Sequence, residues 1–168
     1  MNAPTLRLEP MTEEDGRLRV RMETDDEVMR HLGGARPEAD ILRAHRSSLE
    51  EWRRGECWPL KVIRDGEAEP VAMVTIFPSE HDGERFYEIG WMTVPELQGR
   101  GIASEAVRMV LERARREQRF GVLHAYPPVT NPASNRLCEK HGFTLLGECD
   151  VEFSGRLLRC NHWRLALD

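Results

Sequence analysis

The clearest periodic signal in the chain lies between Ala103 and Gln118. Ala106, Val107, Val110, Leu111 and Ala114 recur there at helical spacing, while Arg108, Glu112, Arg115 and Arg116 fall on the other side. That stripe predicts an amphipathic helix with one buried face. Glu38 to Arg54 carries Ile41, Leu42, Leu49 and Trp52 at similar intervals and predicts a second helix. Thr12 and Asp25, each followed by acidic residues, read as the starts of two shorter helical stretches. The remaining apolar runs are β-like: Leu6 to Glu9, Leu60 to Arg64, Val71 to Phe77, Glu84 to Val94 and Val122 to Tyr126. Asp65-Gly66 predicts a hairpin between the second and third of these. Pro127-Pro128 then breaks the chain, and Ser134 to His141 reads as a short helix ended by Gly142. Phe143 to Phe153 and Arg156 to Leu167 complete the set as strands about a Ser154-Gly155 turn. Helices and strands mixed in this way predict an α/β domain on one central sheet, with residues 1–168 forming a single unit that no repeat, low-complexity tract or linker divides.

Composition narrows the class. A chain of 168 residues, 40% hydrophobic and 32% charged, has enough apolar material for an independent core and is not a disordered segment. The formal net charge of −5 argues against nucleic acid as the main partner and fits a cationic, amine-bearing one better. Cys57, Cys138, Cys149 and Cys160 form no C-x-x-C pair, and no Cys/His spacing suggests a metal site. Met1 to Arg7 has no apolar export core, and no run approaches a membrane span. The expectation is a cytoplasmic protein with reduced cysteines, acting without metal, membrane or nucleic acid.

The most informative segment joins the strand ending at Val94 to the helix beginning near Ala103: Val94-Pro95-Glu96-Leu97-Gln98-Gly99-Arg100-Gly101-Ile102-Ala103. Small residues at 99, 101 and 103 let the main chain approach a ligand closely. The free N–H groups of the first helical turn then converge on one point and favour an anion. Arg100 adds a positive charge with forked donors suited to phosphate. A triphosphatase P-loop is excluded, because Ile102-Ala103-Ser104 follows Gly101 where that loop needs Lys-Ser/Thr. A dinucleotide fingerprint fits no better, since its third glycine is Ser104 here and the stretch lies past mid-chain.

Gln98-Gly99-Arg100-Gly101-Ile102-Ala103 resembles the Gln/Arg-x-x-Gly-x-Gly/Ala signature of the GNAT superfamily of acetyl-CoA-dependent N-acetyltransferases. A second block, Asn131-Pro132-Ala133-Ser134 through Glu139-Lys140-His141-Gly142-Phe143, is similar to the corresponding block of the RimJ/RimL-like branch, which acetylates ribosomal-protein N-termini. Arg7-Leu8-Glu9-Pro10 and Asp26-Glu27-Val28-Met29-Arg30 resemble that branch too, so the likeness spans about Leu6 to Leu167. The resemblance implies a seven-stranded, mostly antiparallel sheet flanked by helices, with its central strands splayed around the pantetheine arm. It also implies acetyl transfer to an amine by direct attack in a ternary complex. Dimers are common in that family, which leaves a homodimer open.

Carried over residue by residue, the resemblance puts pantetheine on the main chain of Met92 and Val94. It puts the pyrophosphate on Gln98, Gly99, Arg100, Gly101, Ile102, Ala103 and Ser104, with Asn131 and Ser134 also at the cofactor. Strand alternation sets Glu88, Gly90 and Met92 on one face, so Glu88 is the first choice of general base, with His124 as rival. The family's usual tyrosine proton donor is replaced by Cys138, so Ser134 is the first choice of thiolate donor and Cys138 the second. Ser134 reads equally well as the N-cap of its helix. Glu148, Asp150 and Glu152 alternate along one strand, and with Asp82 and Glu84 they would favour a cationic acceptor if they lined its groove. The replaced tyrosine keeps a second reading open, a catalytically inactive acyl-CoA-binding sensor or structural module.

Overall fold

Seven strands hydrogen-bond into one sheet in the order β1-β2-β3-β4-β5-β7-β6. They are β1 (Leu6–Pro10), β2 (Trp58–Arg64), β3 (Ala72–His81), β4 (Glu84–Thr93), β5 (Val122–Ala125), β6 (Thr144–Phe153) and β7 (Arg156–Ala166). Only β4 and β5 pair in parallel; every other neighbour is antiparallel. The computed structural model describes residues 5–168, so Met1 to Pro4 of the expected domain lie outside the described residues.

Helices cover both faces. The amphipathic stripe forms α4 (Ile102–Arg116), and its residues Ala106, Val107, Val110, Leu111 and Ala114 are all buried. With α5 (Pro132–Lys140) it covers the face carrying Leu60, Val62, Val74, Ile76, Ile89, Leu123 and Trp163. The other face meets α1 (Gly16–Glu23), α2 (Asp26–Met29) and α3 (Glu38–Arg53). Thr12 opens a short 3-10 turn, its main-chain N–H donating to Asp15 Oδ2 at 2.7 Å, and Asp25 caps α2 by accepting from the Val28 N–H at 2.9 Å.

β2 and β3 pair antiparallel, as the hairpin signal at Asp65-Gly66 predicts, across a connection that runs from Asp65 to Val71. One expectation needs correction. The last short helix begins at Pro132, and its cap is Asn131, whose side chain accepts from the Ser134 N–H at 3.1 Å. Ser134 is therefore inside the helix and not its N-cap. Proline at the first helical position loses no bond there, which is why the helix starts before the apolar pattern does.

The helical layer is tied together by one buried carboxylate. Glu23 is 1% exposed. It accepts from Arg19 Nε at 2.7 Å and from Arg36 at the entrance to α3. A buried carboxylate with two guanidinium partners is stable, whereas removing the carboxylate strands both cations. Glu23→Ala is expected to destabilise the fold by about 3–5 kcal/mol, read from the urea midpoint.

Candidate active site

The ladder between β4 and β5 holds at two positions only, Tyr87 opposite Leu123 and Glu88 opposite His124. Beyond them the strands part, for a chemical reason. Pro127 and Pro128 have no N–H to offer β4, and the chain there turns to β7 instead. The Pro127 carbonyl accepts from the Asn161 N–H at 2.9 Å, and Pro128 bridges to Cys160. A cleft of about 1150 Å³ opens in the gap, touching Ile89 to Thr93 on one wall and Ala125 to Pro128 on the other.

The direction of the free main-chain groups follows from the β3–β4 ladder. Val94 N–H donates to the Val71 carbonyl at 2.9 Å, and the register then runs unbroken from Ala72–Thr93 to His81–Glu84. Hydrogen-bonded pairs alternate in an antiparallel ladder, so Met92, Gly90 and Glu88 direct their N–H and C=O groups to β3. Trp91 and Thr93 direct theirs into the gap, and the Thr93 carbonyl accepts from Gln98 Nε2 at 3.3 Å. This corrects the assignment of pantetheine to Met92 and Val94. The Val94 main chain is engaged on both sides, its carbonyl accepting from the Leu97 N–H at 3.1 Å, and the free edge is one residue out of phase with them.

The glycine-rich loop has the expected geometry. Gly99 and Gly101 have φ of 71° and 78°, and a side chain at either would meet nothing within 4 Å. The left-handed backbone, not crowding, is what favours glycine at both positions. The first bond within α4 runs from Glu105 N–H to the Gly101 carbonyl, leaving the amides of Ile102, Ala103 and Ser104 without helical partners. Gly99, Gly101, Ile102, Ala103 and Ser104 line the cleft, as does Gln98. The Ile102 side chain is buried in the core, so only its main chain can serve a ligand. Ser104 Oγ is held by Lys140 Nζ at 2.9 Å and lies 3.1 Å from His141 Nε2. Arg100 is exposed and stands outside the cleft wall.

The catalytic candidates separate cleanly. Glu88 lines the cleft on the face opposite α4, beside Gly90, Met92 and Phe77. It keeps some surface toward the cleft and is enclosed elsewhere. Burial pushes its carboxyl up to about 7, against a smaller opposing effect of the Ser79 hydroxyl. His124 does not reach the cleft; its Nδ1 lies 2.7 Å from His162 Nε2, and burial holds its pKa below the usual histidine value. Tyr126, which sequence reasoning passed over, lines the cleft and sets its hydroxyl 3.0 Å from the same His162 nitrogen. Its two-residue spacing from His124 was the available signal, since alternation puts both on the Glu88 face.

Ser134 lines the cleft from the other side, and its Oγ accepts from Trp91 Nε1 at 3.3 Å. Its own hydrogen remains free to donate. Asn131 also lines the cleft, though its side-chain oxygen is occupied in capping α5. Cys138 is fully buried away from the cleft with its thiol pushed up to about 12, so as a proton donor it is set aside. A helix N-terminus with free amides, a free strand edge and a high-pKa carboxylate therefore meet around one gap.

The chain belongs to the GNAT acetyltransferase family: the family profile described as an acetyltransferase (GNAT) domain matches residues 5–144. No curated protein matches it in sequence. Among solved structures it is similar to a Salmonella typhimurium acetyl transferase that modifies the N-terminal serine of ribosomal protein L7/L12, with 16% identity over 98% of this chain and 96% of that one and a TM-score of 0.78. Mycobacterium smegmatis RimJ in complex with CoA-disulfide gives 20% identity, coverage of 96% and 81%, and a TM-score of 0.75. A spermidine N-acetyltransferase chimera from Vibrio cholerae and hSSAT gives 16%, 96% and 95%, and 0.77. These similarities show a shared fold.

Glu88 carries a measurable linkage. A carboxylic acid whose folded pKa is about 7, against an ordinary 4.5, favours folding below 4.5 and loses that advantage as pH rises to 7. Glu88→Gln is therefore expected to be close to wild type in stability at pH 4.5 and more stable at pH 8, by up to about 3 kcal/mol. Urea unfolding of both proteins at the two pH values checks it.

Proposed function

We propose that this protein is an N-acetyltransferase of the RimJ/RimL-like branch that moves an acetyl group from acetyl-CoA to a primary amine by direct attack in a ternary complex. The observation that carries this reading is the parting of β4 from β5, which brings a free strand edge, an anion cradle and Glu88 to one gap. The residues present suit coenzyme A. Amides of Ile102, Ala103 and Ser104 suit the pyrophosphate, and the free groups of Trp91 and Thr93 suit an extended amide-bearing arm. Acetyl-CoA supplies the activated thioester.

Each remaining task falls to a named group. Glu88 takes the proton from the incoming ammonium, and a pKa of about 7 leaves enough carboxylate at neutral pH to do so. The Trp91 N–H points into the gap and favours the negative charge that develops on the carbonyl oxygen. Ser134 donates a proton toward the departing sulfur. Trp91 Nε1 fixes its hydroxyl from behind. All four cysteines are free, which supports a cytoplasmic setting.

The experiment is thiol release from acetyl-CoA with a panel of amines, read beside coenzyme A protection against heat unfolding. Glu88→Gln is expected to lower kcat by about 10²–10⁴-fold at neutral pH while coenzyme A protection is unchanged. The wild-type rate should rise with pH and level off above about 7. Coenzyme A protection with no thiol release from any amine would replace the catalytic reading with that of a binding module.

A further inference from the structure

The acceptor half of the cleft is not the acidic groove that the sequence suggested. Glu148 and Asp150 lie on the exposed face of β6, where Arg159 holds them at 3.1 and 3.2 Å. Glu152 is exposed on the same side, and Asp82 and Glu84 sit at the exposed tip of the β3–β4 hairpin. The residues that β6, β7 and, across the cleft, β3 turn inward include Val151, Phe153, Leu158 and Phe77. They give the acceptor an apolar wall.

The same space is roofed. Arg156, just past the β6–β7 turn, lies flat on Gly33 between α2 and α3, where a Cβ would come within 2.6 Å of its Cδ. Arg36, three residues on, stacks over Phe153 at 5.5 Å from the ring centre. His31 Nδ1 meets Thr130 Oγ1 at 3.0 Å. Three contacts thus join the α2–α3 segment to the far side of the cleft.

Charge supplies the last element. Arg36 lines the cleft with its side chain 14% exposed. Its partner Glu23 is shared with Arg19, so two guanidinium groups stand against one carboxylate. Arg36 Nε is buried with no hydrogen-bond partner. Arg30 is balanced by Glu27, and the charged groups that bear on Glu51, which also lines the cleft, are Arg54 and Glu56 rather than Arg36. A half-buried surplus positive charge is stabilised by an anion arriving in the cleft.

Resting on the acetyltransferase reading, we infer that the acceptor is a small amine that also bears a carboxylate and an apolar side chain, such as a free apolar amino acid. Its ammonium group faces Glu88, its carboxylate faces Arg36, and its side chain lies against Phe77, Val151, Phe153 and Leu158. Attack by the deprotonated nitrogen on the acetyl carbon forms the N–C bond and breaks the C–S bond. The products are the N-acetyl amino acid, free thiol and one proton released by way of Glu88.

The test is thiol release by the full chain with acetyl-CoA and leucine, methionine or phenylalanine, each beside its carboxamide. Spermidine, kanamycin and decapeptides with N-terminal serine or alanine form the other arms. The expected result is turnover of the free amino acids with kcat/KM about 10–100-fold above the amides, the range for one charge-assisted hydrogen bond. In Arg36→Met the KM for the amino acids should rise by a similar factor, the amides should be unaffected, and coenzyme A protection should be retained. If the variant does not fold, the comparison of acid with amide on the wild type decides alone. Turnover of polyamine, aminoglycoside or peptide but not of amino acids would overturn this inference and leave the acetyltransferase reading standing. Equal turnover of acids and amides, or an equal loss on both in Arg36→Met, would remove Arg36 from acceptor recognition. Absence of thiol release in every arm would overturn both.

Discussion

The site depends on hydrogen bonds that β4 does not make. A strand in the middle of a sheet normally spends its donors and acceptors on two neighbours, and an unpaired buried main-chain group costs about as much as a lost hydrogen bond. Here β4 keeps β3 along its whole length and gives up β5 after Glu88. The vacated edge cannot be closed from within, because Pro127 and Pro128 carry no N–H, the Pro127 carbonyl is committed to Asn161 of β7 and the Pro128 carbonyl to Asn131 and Asn135. An extended ligand with amide groups restores what the sheet omits. The apolar slot and the row of unpaired groups are thus one feature.

The phosphate cradle and the candidate base are both positioned by that edge. β4 leads through a short 3-10 turn at Pro95–Leu97 into Gly99 and Gly101, so the amides of α4 open at the end of the same groove. In the other direction the strand carries Glu88 at the last paired position, where β5 still shields it and the cleft has begun. Half-enclosure of this kind raises a carboxyl without burying it beyond reach, and it is the reason a glutamate here can exchange protons near neutral pH. His124, its partner across the ladder, is one step too far inside. It spends its nitrogen on His162 and has no wall on the cleft.

Much of this was legible in the chain. The amphipathic stripe of α4, the glycine pair before it and the double proline after β5 all signal locally, through periodicity, backbone freedom and a missing donor. The seven strands followed from apolar runs and turns, with errors only at their ends. Ser134 was legible as a cleft residue but not as a helix-interior one, because Asn131 and Pro132 compete for the same start and the winner depends on where the preceding loop delivers the chain. Tyr126 carried only its two-residue spacing from His124, and Arg36 no sequence signal of its own. They matter through neighbours distant in sequence, His162 for one and Glu23 with Phe153 for the other.

The two corrections that change the chemistry share a cause. Alternation along a strand has a period of two that any sequence displays, but its phase is set by contacts made elsewhere. Glu148, Asp150 and Glu152 do share a face, as their spacing requires; that the face is the solvent side is decided by how β6 pairs with β7, with Val151 opposite Leu158 beneath the roof. Met92 and Val94 likewise share main-chain polarity, and a single bond from Val94 to Val71 commits that polarity to β3. Shift that bond by one residue and Trp91 would lose the gap-facing N–H that the proposed chemistry needs, while its indole would leave Ser134 for the other face. The phase of one ladder therefore fixes both the main-chain donor and the side-chain donor together.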